Sequence, residues 1–230
     1  SFNINAALST YFSADYHTAL LTHQYGGKIQ YSYLRKHPGA AAWNCGMVST
    51  LSGNVGFAEK YLGFAALSFN AEARIPLNVH YFYITNTCGY NLISNENIFS
   101  LGNKFVLIGS SAPLSYKGGS FSQLIEMKSF SQNYGYTANA FIKNEIGSLI
   151  TLYRRSHYWK FLTIGFHAIH LRPFAEYALL RNVNDIQHLF GTGMEFIADF
   201  FVAYGNIPIS IVQGNAIGYK IGNPYPIYNG

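Results

Sequence analysis

Hydrophobic and polar side chains alternate with a period of two over long stretches of the chain. The alternation is clearest in the ranges 65–75 and 194–204. Successive side chains of a β-strand point to opposite faces, so both ranges predict strands with one apolar and one polar face. The apolar positions are Leu67, Phe69, Ile75, Met194, Phe196, Phe200 and Val202. The polar positions include Asn70, Glu72, Arg74, Glu195 and Asp199.

Weaker alternation and turn-forming residues extend this interpretation along the chain, giving about twelve predicted strands and few helices. Gly26-Gly27 and Gly53-Asn54 are predicted turns, and Lys160–Leu171 and Arg172–Leu180 are predicted as separate strands. We expect a single domain over residues 1–221. The nine residues 222–230 carry two prolines and are predicted to leave the sheet.

Charge is scarce in this chain. Only 11% of its 230 residues are charged, whereas aromatic residues reach 17%. The outward face of a soluble β-sandwich normally carries many charged side chains, and this chain has too few for about a dozen strands. The composition therefore favours an all-β, antiparallel, up-and-down transmembrane β-barrel of about 12 strands with its apolar faces toward lipid. A soluble secreted β-sandwich or ligand-binding cup is the alternative.

Tyrosine and tryptophan near the predicted strand ends fit the aromatic girdles of such a barrel. They are Tyr25, Tyr31, Tyr33, Trp43, Tyr81, Tyr83, Tyr134, Tyr136, Tyr158, Trp159, Tyr204 and Tyr219.

The segment Val212–Tyr219 resembles the assembly signal of Gram-negative outer-membrane β-barrels, in which a glycine precedes spaced hydrophobic and aromatic residues. It departs from that signal at Val212, where a polar residue is usual. Eleven residues follow Tyr219, which leaves open that the chain is a piece of a longer protein. The segment Phe190–Phe196, followed by Asp199–Phe201 and Ile207–Ile209, is similar to the closing strands of barrel domains attached to Tol-type β-propellers. The resemblance implies a location in the outer membrane of a Gram-negative bacterium, with the lipid bilayer as a partner.

The polar positions are predicted to form a hydrogen-bonded ionic network in the lumen of the barrel. Its predicted members are Asn70, Glu72, Arg74, Glu126, Lys128, Asn139, Lys143, Glu176, Glu195 and Asp199. The alternative is a charged constriction that selects small solutes.

The sequence offers little sign of catalysis. No histidine is followed two residues later by serine, the arrangement found in barrel lipases and lipid A deacylases, and Gly-x-Ser-x-Gly is also missing. His157, His167 and His170 are interpreted as interfacial or turn histidines, so no metal or other cofactor is expected. A lipid hydrolase would need a serine and a histidine brought together from different strands. Cys45 and Cys88 could form a disulfide or remain unpaired.

The net charge of +5 is not organised as a nucleic-acid interface, because the basic clusters are only Arg35-Lys36-His37 and Arg154-Arg155. These clusters suit anionic lipid head groups or the phosphates of lipopolysaccharide better, so lipopolysaccharide is an expected partner. We therefore predict a non-enzymatic outer-membrane barrel that acts as a pore, an anchor or a subunit of a surface or secretion assembly with protein partners.

Overall fold

The computed structural model describes residues 3–15, 20–36, 44–58, 61–78, 80–94, 105–109, 123–130, 136–159, 164–182, 185–202, 207–221 and 223–228. The regular structure in these ranges consists of β-strands. The strands are β1 (Asn3–Asp15), β2 (Leu20–Lys36), β3 (Asn44–Ala58), β4 (Tyr61–Leu77), β5 (His80–Ser94), β6 (Phe105–Gly109), β7 (Gln123–Met127), β8 (Tyr136–Ala138), β9 (Ala140–Trp159), β10 (Ile164–Arg181), β11 (Ile186–Val202), β12 (Ile207–Lys220) and β13 (Asn223–Tyr228).

Ten of the described strands form one antiparallel sheet in the order β1-β2-β3-β4-β5-β9-β10-β11-β12-β13. Neighbours in this sheet are consecutive in the chain except at β5 and β9, because β6, β7 and β8 lie between them as a separate three-stranded sheet. The predicted all-β antiparallel fold is confirmed. The described pairings do not join β1 to β13, so this sheet is not closed and a 12-stranded barrel is not shown.

The strands are fewer and longer than predicted because some expected boundaries lie inside strands. β10 runs through Arg172-Pro173, which had been predicted to separate two strands. Its pairing with β9 skips these two positions, which suits a residue that lacks an N–H group. Gly26-Gly27 and Gly53-Asn54 are not turns, since Gly27 pairs with Gly53 inside β2 and β3.

The C-terminal segment does not leave the sheet as predicted. β13 pairs with β12, for example Ile217 with Tyr228. Among the described strands, β13 has one neighbour, and a terminal strand tolerates prolines because it has fewer backbone hydrogen bonds to supply. The predicted strand at 121–130 is shorter than expected and belongs to the smaller sheet, where β7 runs parallel to β6.

The register separates apolar and charged residues onto opposite faces of the large sheet. Directly paired residues of neighbouring strands lie on the same face of the sheet, so successive pairs form a row across it. One row crosses β2, β3, β4, β5 and β9. This row is Ile29, Leu51, Phe69, Cys88 and Ile142. A row on the other face consists of Val48, Glu72, Thr85, Glu145 and Glu176. We call these the apolar face and the polar face.

The segments of β6, β7 and β8, together with residues 128–130, pack on the polar face, and we call them the insert. Phe105, Met127 and Phe130 of the insert are buried in one core with Phe141 and Leu180 of the large sheet. The rings of Phe105 and Phe141 meet edge to face, with their centroids 4.7 Å apart. The insert therefore covers part of the polar face and shields charged residues such as Glu145 and Glu176 from solvent.

Glycines of the large sheet provide the space in which the insert docks. A Cβ atom at Gly191 would collide with the side chain of Ser129, and one at Gly218 would collide with the Ser129 carbonyl and meet the Phe130 ring. A Cβ at Gly89 would lie 2.6 Å from the ring of Phe105. A side chain at any of these positions would push the insert away from the sheet.

Candidate functional site: the covered polar face

The centre of the polar face carries a cluster of acidic and basic side chains, which we call the ionic cluster. Its members are Glu72, Arg74, Lys128, Lys143, Glu145, Arg172, Glu176 and Glu195. Arg74 pairs with Glu72 in β4, and Arg172 of β10 pairs with Glu195 of β11. The cluster contains as many basic as acidic groups, so its formal charges cancel.

Lys128 joins the insert to this cluster. Its ammonium group forms an ion pair with Glu145 and lies 3.9 Å from a carboxylate oxygen of Glu195. The same nitrogen is 4.8 Å from the centroid of the Phe174 ring, within cation–π range. Glu145 also accepts a hydrogen bond of 2.9 Å from the hydroxyl of Tyr83. One cation of the insert thus contacts groups on three strands of the large sheet.

Glu176 provides a second attachment for the insert. One oxygen of its carboxylate accepts hydrogen bonds from the backbone N–H of Ser129, at 2.7 Å, and from the Ser129 hydroxyl. The other oxygen lies 3.4 Å from the ammonium group of Lys143, which also donates to the backbone carbonyl of Glu126. The Glu176 side chain is fully buried. These contacts are charge-assisted and shielded from water, the conditions under which such interactions are strongest.

A cavity of about 170 Å³ lies beside Lys128 on the polar face. Charged and hydroxyl side chains line it, including Arg74, Arg172, Glu145 and Tyr83. Most of these groups already contact one another, so the cavity adjoins a network whose charges are compensated.

A hydroxyl–imidazole–carboxylate chain crosses β9, β10 and β11 on the same face. The Thr151 hydroxyl lies 3.0 Å from Nδ1 of His170, and Nε2 of His170 lies 3.1 Å from a carboxylate oxygen of Asp199. Ser210 of β12 donates a hydrogen bond of 2.7 Å to the other oxygen of Asp199. His170 and Asp199 are fully buried, so the interpretation of His170 as an interfacial or turn histidine is wrong.

The predicted polar residues occupy different parts of this arrangement. The ionic cluster brings together Glu72, Arg74, Lys128, Lys143, Glu176 and Glu195. Asp199 belongs instead to the His170 chain, and Asn70 accepts a hydrogen bond from Thr87 at 3.3 Å. The backbone carbonyl of Glu126 accepts a hydrogen bond from Lys143, and the backbone N–H of Asn139 donates to the carbonyl of Arg181. The assignment of all these predicted polar residues to a barrel lumen stays a prediction.

Sequence reasoning missed Glu145, Arg172, Tyr83 and Thr151. Glu145 and Arg172 follow the same period-two pattern as the predicted residues, and that signal could have identified them. The prediction of Tyr81 and Tyr83 as girdle residues is wrong, because both are buried on the polar face. Trp43, Tyr134 and Tyr204 lie outside the described residues, and the side chains of Tyr25, Tyr158 and Trp159 are likewise not described.

The residues predicted to face lipid lie on the apolar face. Phe196 is 53% exposed, and Phe69, Ile75, Leu67 and Met194 are also exposed. Phe200 and Val202 are partly exposed. The lipid contact itself stays a prediction.

Metal and redox chemistry receive no support from the described ranges. Within them, no group of three or more histidine, cysteine, aspartate or glutamate residues could hold a metal ion. Cys45 and Cys88 are free thiols rather than a disulfide. No helix in the described part of the chain is long and apolar enough to cross a membrane.

Comparisons with known proteins identify no relative of this chain. No protein-family model matches the chain, and neither a curated protein nor a solved structure matches it.

Proposed function

We propose that this protein is a membrane-embedded β-sheet protein of the outer-membrane barrel type, which serves as an anchor or scaffold and not as an open pore. The observation that carries the proposal is which face of the sheet is covered. The insert covers part of the polar face, whereas large hydrophobic side chains such as Phe196, Ile142 and Ile84 stay exposed on the apolar face. A soluble protein normally covers its apolar face. An exposed apolar surface that spans many strands suits hydrocarbon.

The covered polar face supports an anchor over a pore. Hydrophobic side chains of the insert pack beside the ionic cluster, and the four basic and four acidic groups of the cluster neutralise one another. A conducting channel needs a continuous hydrated path with accessible charges. We therefore expect the reconstituted protein to be electrically silent in a planar bilayer. Sustained single-channel currents would contradict the anchor and favour the pore.

Closure of the sheet into a barrel and a location in the outer membrane of a Gram-negative bacterium belong to the same proposal. In that setting, the bilayer with its lipopolysaccharide would be the main partner, and proteins of a surface or secretion assembly would be further partners. A closed barrel would also remove the free edges of β1 and β13.

Replacing Phe196 by arginine tests the membrane assignment against the soluble sandwich or cup. On a lipid-facing surface, an arginine near the bilayer centre costs about 2–4 kcal/mol. On a water-exposed surface the same change stays within about 0.5 kcal/mol. We expect Phe196→Arg to lower folding stability in lipid vesicles by the larger amount, with Phe196→Leu as the control. A stable Phe196→Arg variant that needs no detergent would refute the proposal.

The chain formed by Thr151, His170 and Asp199 favours a second candidate function, a lipid hydrolase. A hydroxyl, an imidazole and a carboxylate in this order match the logic of nucleophilic catalysis. The candidate predicts cleavage of an acyl ester, with loss of the activity in both Thr151→Val and His170→Ala. Full activity in Thr151→Val, or an inactive wild-type protein, would reject the hydrolase and leave the chain a structural network.

A further inference from the structure

A groove of about 440 Å³ lies on the apolar face across β3, β4, β5, β9 and β10. Two adjacent rows of paired residues form it. The first row is Phe69, Cys88, Ile142 and Leu179, and the second is Leu67, Tyr90, Ala140 and Arg181. Cys88 and Ala140 are small and have larger neighbours in their rows, which leaves a depression between them. The volume falls within the range of about 300–1,000 Å³ that is typical of small-molecule sites.

The groove is apolar along most of its length and has a single cationic residue. Arg181, the last residue of β10, is exposed, and no salt bridge to it occurs within the described part of the chain. The next residue, Asn182, donates a hydrogen bond of 2.8 Å from its backbone N–H to the carbonyl of Asp185. Arg181 therefore marks the end of the strand, where the chain leaves the sheet.

We propose that this groove binds one acyl chain of an anionic phospholipid, whose phosphate pairs with Arg181. The inference rests on the proposed function, because that function places the apolar face in the bilayer and the strand ends near the head groups. The residues that carry the hydrocarbon contact are Leu67, Phe69, Tyr90, Ile142 and Leu179. An amphiphile with one apolar chain and one negative charge matches a groove with one apolar channel and one cation. A zwitterionic phospholipid such as phosphatidylcholine also carries a phosphate, but its choline cation offsets the negative charge, so it gains less from Arg181.

The test compares retained lipid by native mass spectrometry of the full chain in detergent micelles. The probes are dioleoyl phosphatidylglycerol, dioleoyl phosphatidylcholine with the same chains, and glycerol phosphate as a head group without a chain. We expect wild-type protein to retain one phosphatidylglycerol molecule in preference to phosphatidylcholine. Arg181→Ser should weaken binding of phosphatidylglycerol about five-fold, the effect of one basic residue near an anionic head group, and should weaken binding of phosphatidylcholine by less.

Two further variants separate the groove from general surface charge. Cys88→Phe fills the depression and should weaken binding of both phospholipids, whereas Lys28→Ser removes an exposed cation of β2 and should change neither. Equal loss in Lys28→Ser and Arg181→Ser would overturn the inference, and so would binding of glycerol phosphate as tight as that of the lipid.

Flotation with phosphatidylcholine vesicles distinguishes failure of the inference from failure of the proposed function. Wild-type protein that does not float with vesicles refutes the membrane assignment. Protein that floats but retains phosphatidylglycerol equally well in wild type, Arg181→Ser and Cys88→Phe refutes only the lipid site.

Discussion

Removing the carboxylate of Glu176 should detach the insert from the large sheet. Glu176 accepts two hydrogen bonds from Ser129 and lies 3.4 Å from the Lys143 ammonium group. Because the site is buried, Glu176→Ala leaves the Ser129 donors and one cation without this partner. Breaking a buried charged contact by removing one side costs about 3–5 kcal/mol. Glu176→Gln keeps an oxygen for Ser129 but loses the charge, so its cost should be about 1–3 kcal/mol.

The assay is native-state hydrogen exchange at the backbone amides of β7 (Gln123–Met127). A loss of 3–5 kcal/mol in opening free energy accelerates exchange by about two to four orders of magnitude. The matched control is Glu72→Ala, which removes a partly exposed ion pair within β4 and should cost no more than about 1 kcal/mol. Exchange in β7 that changes less than about two-fold in Glu176→Ala would show that Glu176 does not hold the insert. An equal effect of Glu72→Ala would show that general charge loss, and not this contact, is responsible.

Two more substitutions test the packing of the polar face. Gly191→Leu should force the turn at Ser129 away from the sheet and lower the free energy of unfolding by about 1–3 kcal/mol. The control is Gly27→Leu, which should cost less than about 1 kcal/mol because a Cβ at Gly27 would meet nothing within 4 Å. Equal losses of the two variants in denaturant titrations would refute the docking role of Gly191. His170→Ala leaves the Thr151 hydroxyl and the buried Asp199 carboxylate without the imidazole and should destabilise the protein by about 1–3 kcal/mol per unpaired group, measured by the same titration. Unchanged stability in His170→Ala would contradict a structural role of the chain.

The differences between the predicted and observed strands have local physical causes. Prolines and pairs of adjacent glycines usually mark the ends of strands, but in this protein they lie inside long strands. β10 continues through Pro173, which pairs with Met194 of β11, and the pairing with β9 is interrupted there, so β9 does not require the missing N–H group. Gly27 and Gly53 face each other across two strands, where pairing on both sides maintains the extended conformation. Turn signals read from single segments do not contain this information.

The sequence by itself determined that the strands have two unlike faces and, in the strongly alternating ranges 65–75 and 194–204, which residues lie on each. Period-two alternation is a property of the extended backbone. Phe196 and Glu195 can therefore be placed on opposite faces of the strand without knowledge of the neighbouring strands. Only the tertiary structure decided which polar groups meet. Tyr83 and Glu145 are 62 positions apart, and the match between Gly191 and Ser129 depends on how the insert docks. Such contacts follow from the register between distant strands, which alternation within one strand does not specify.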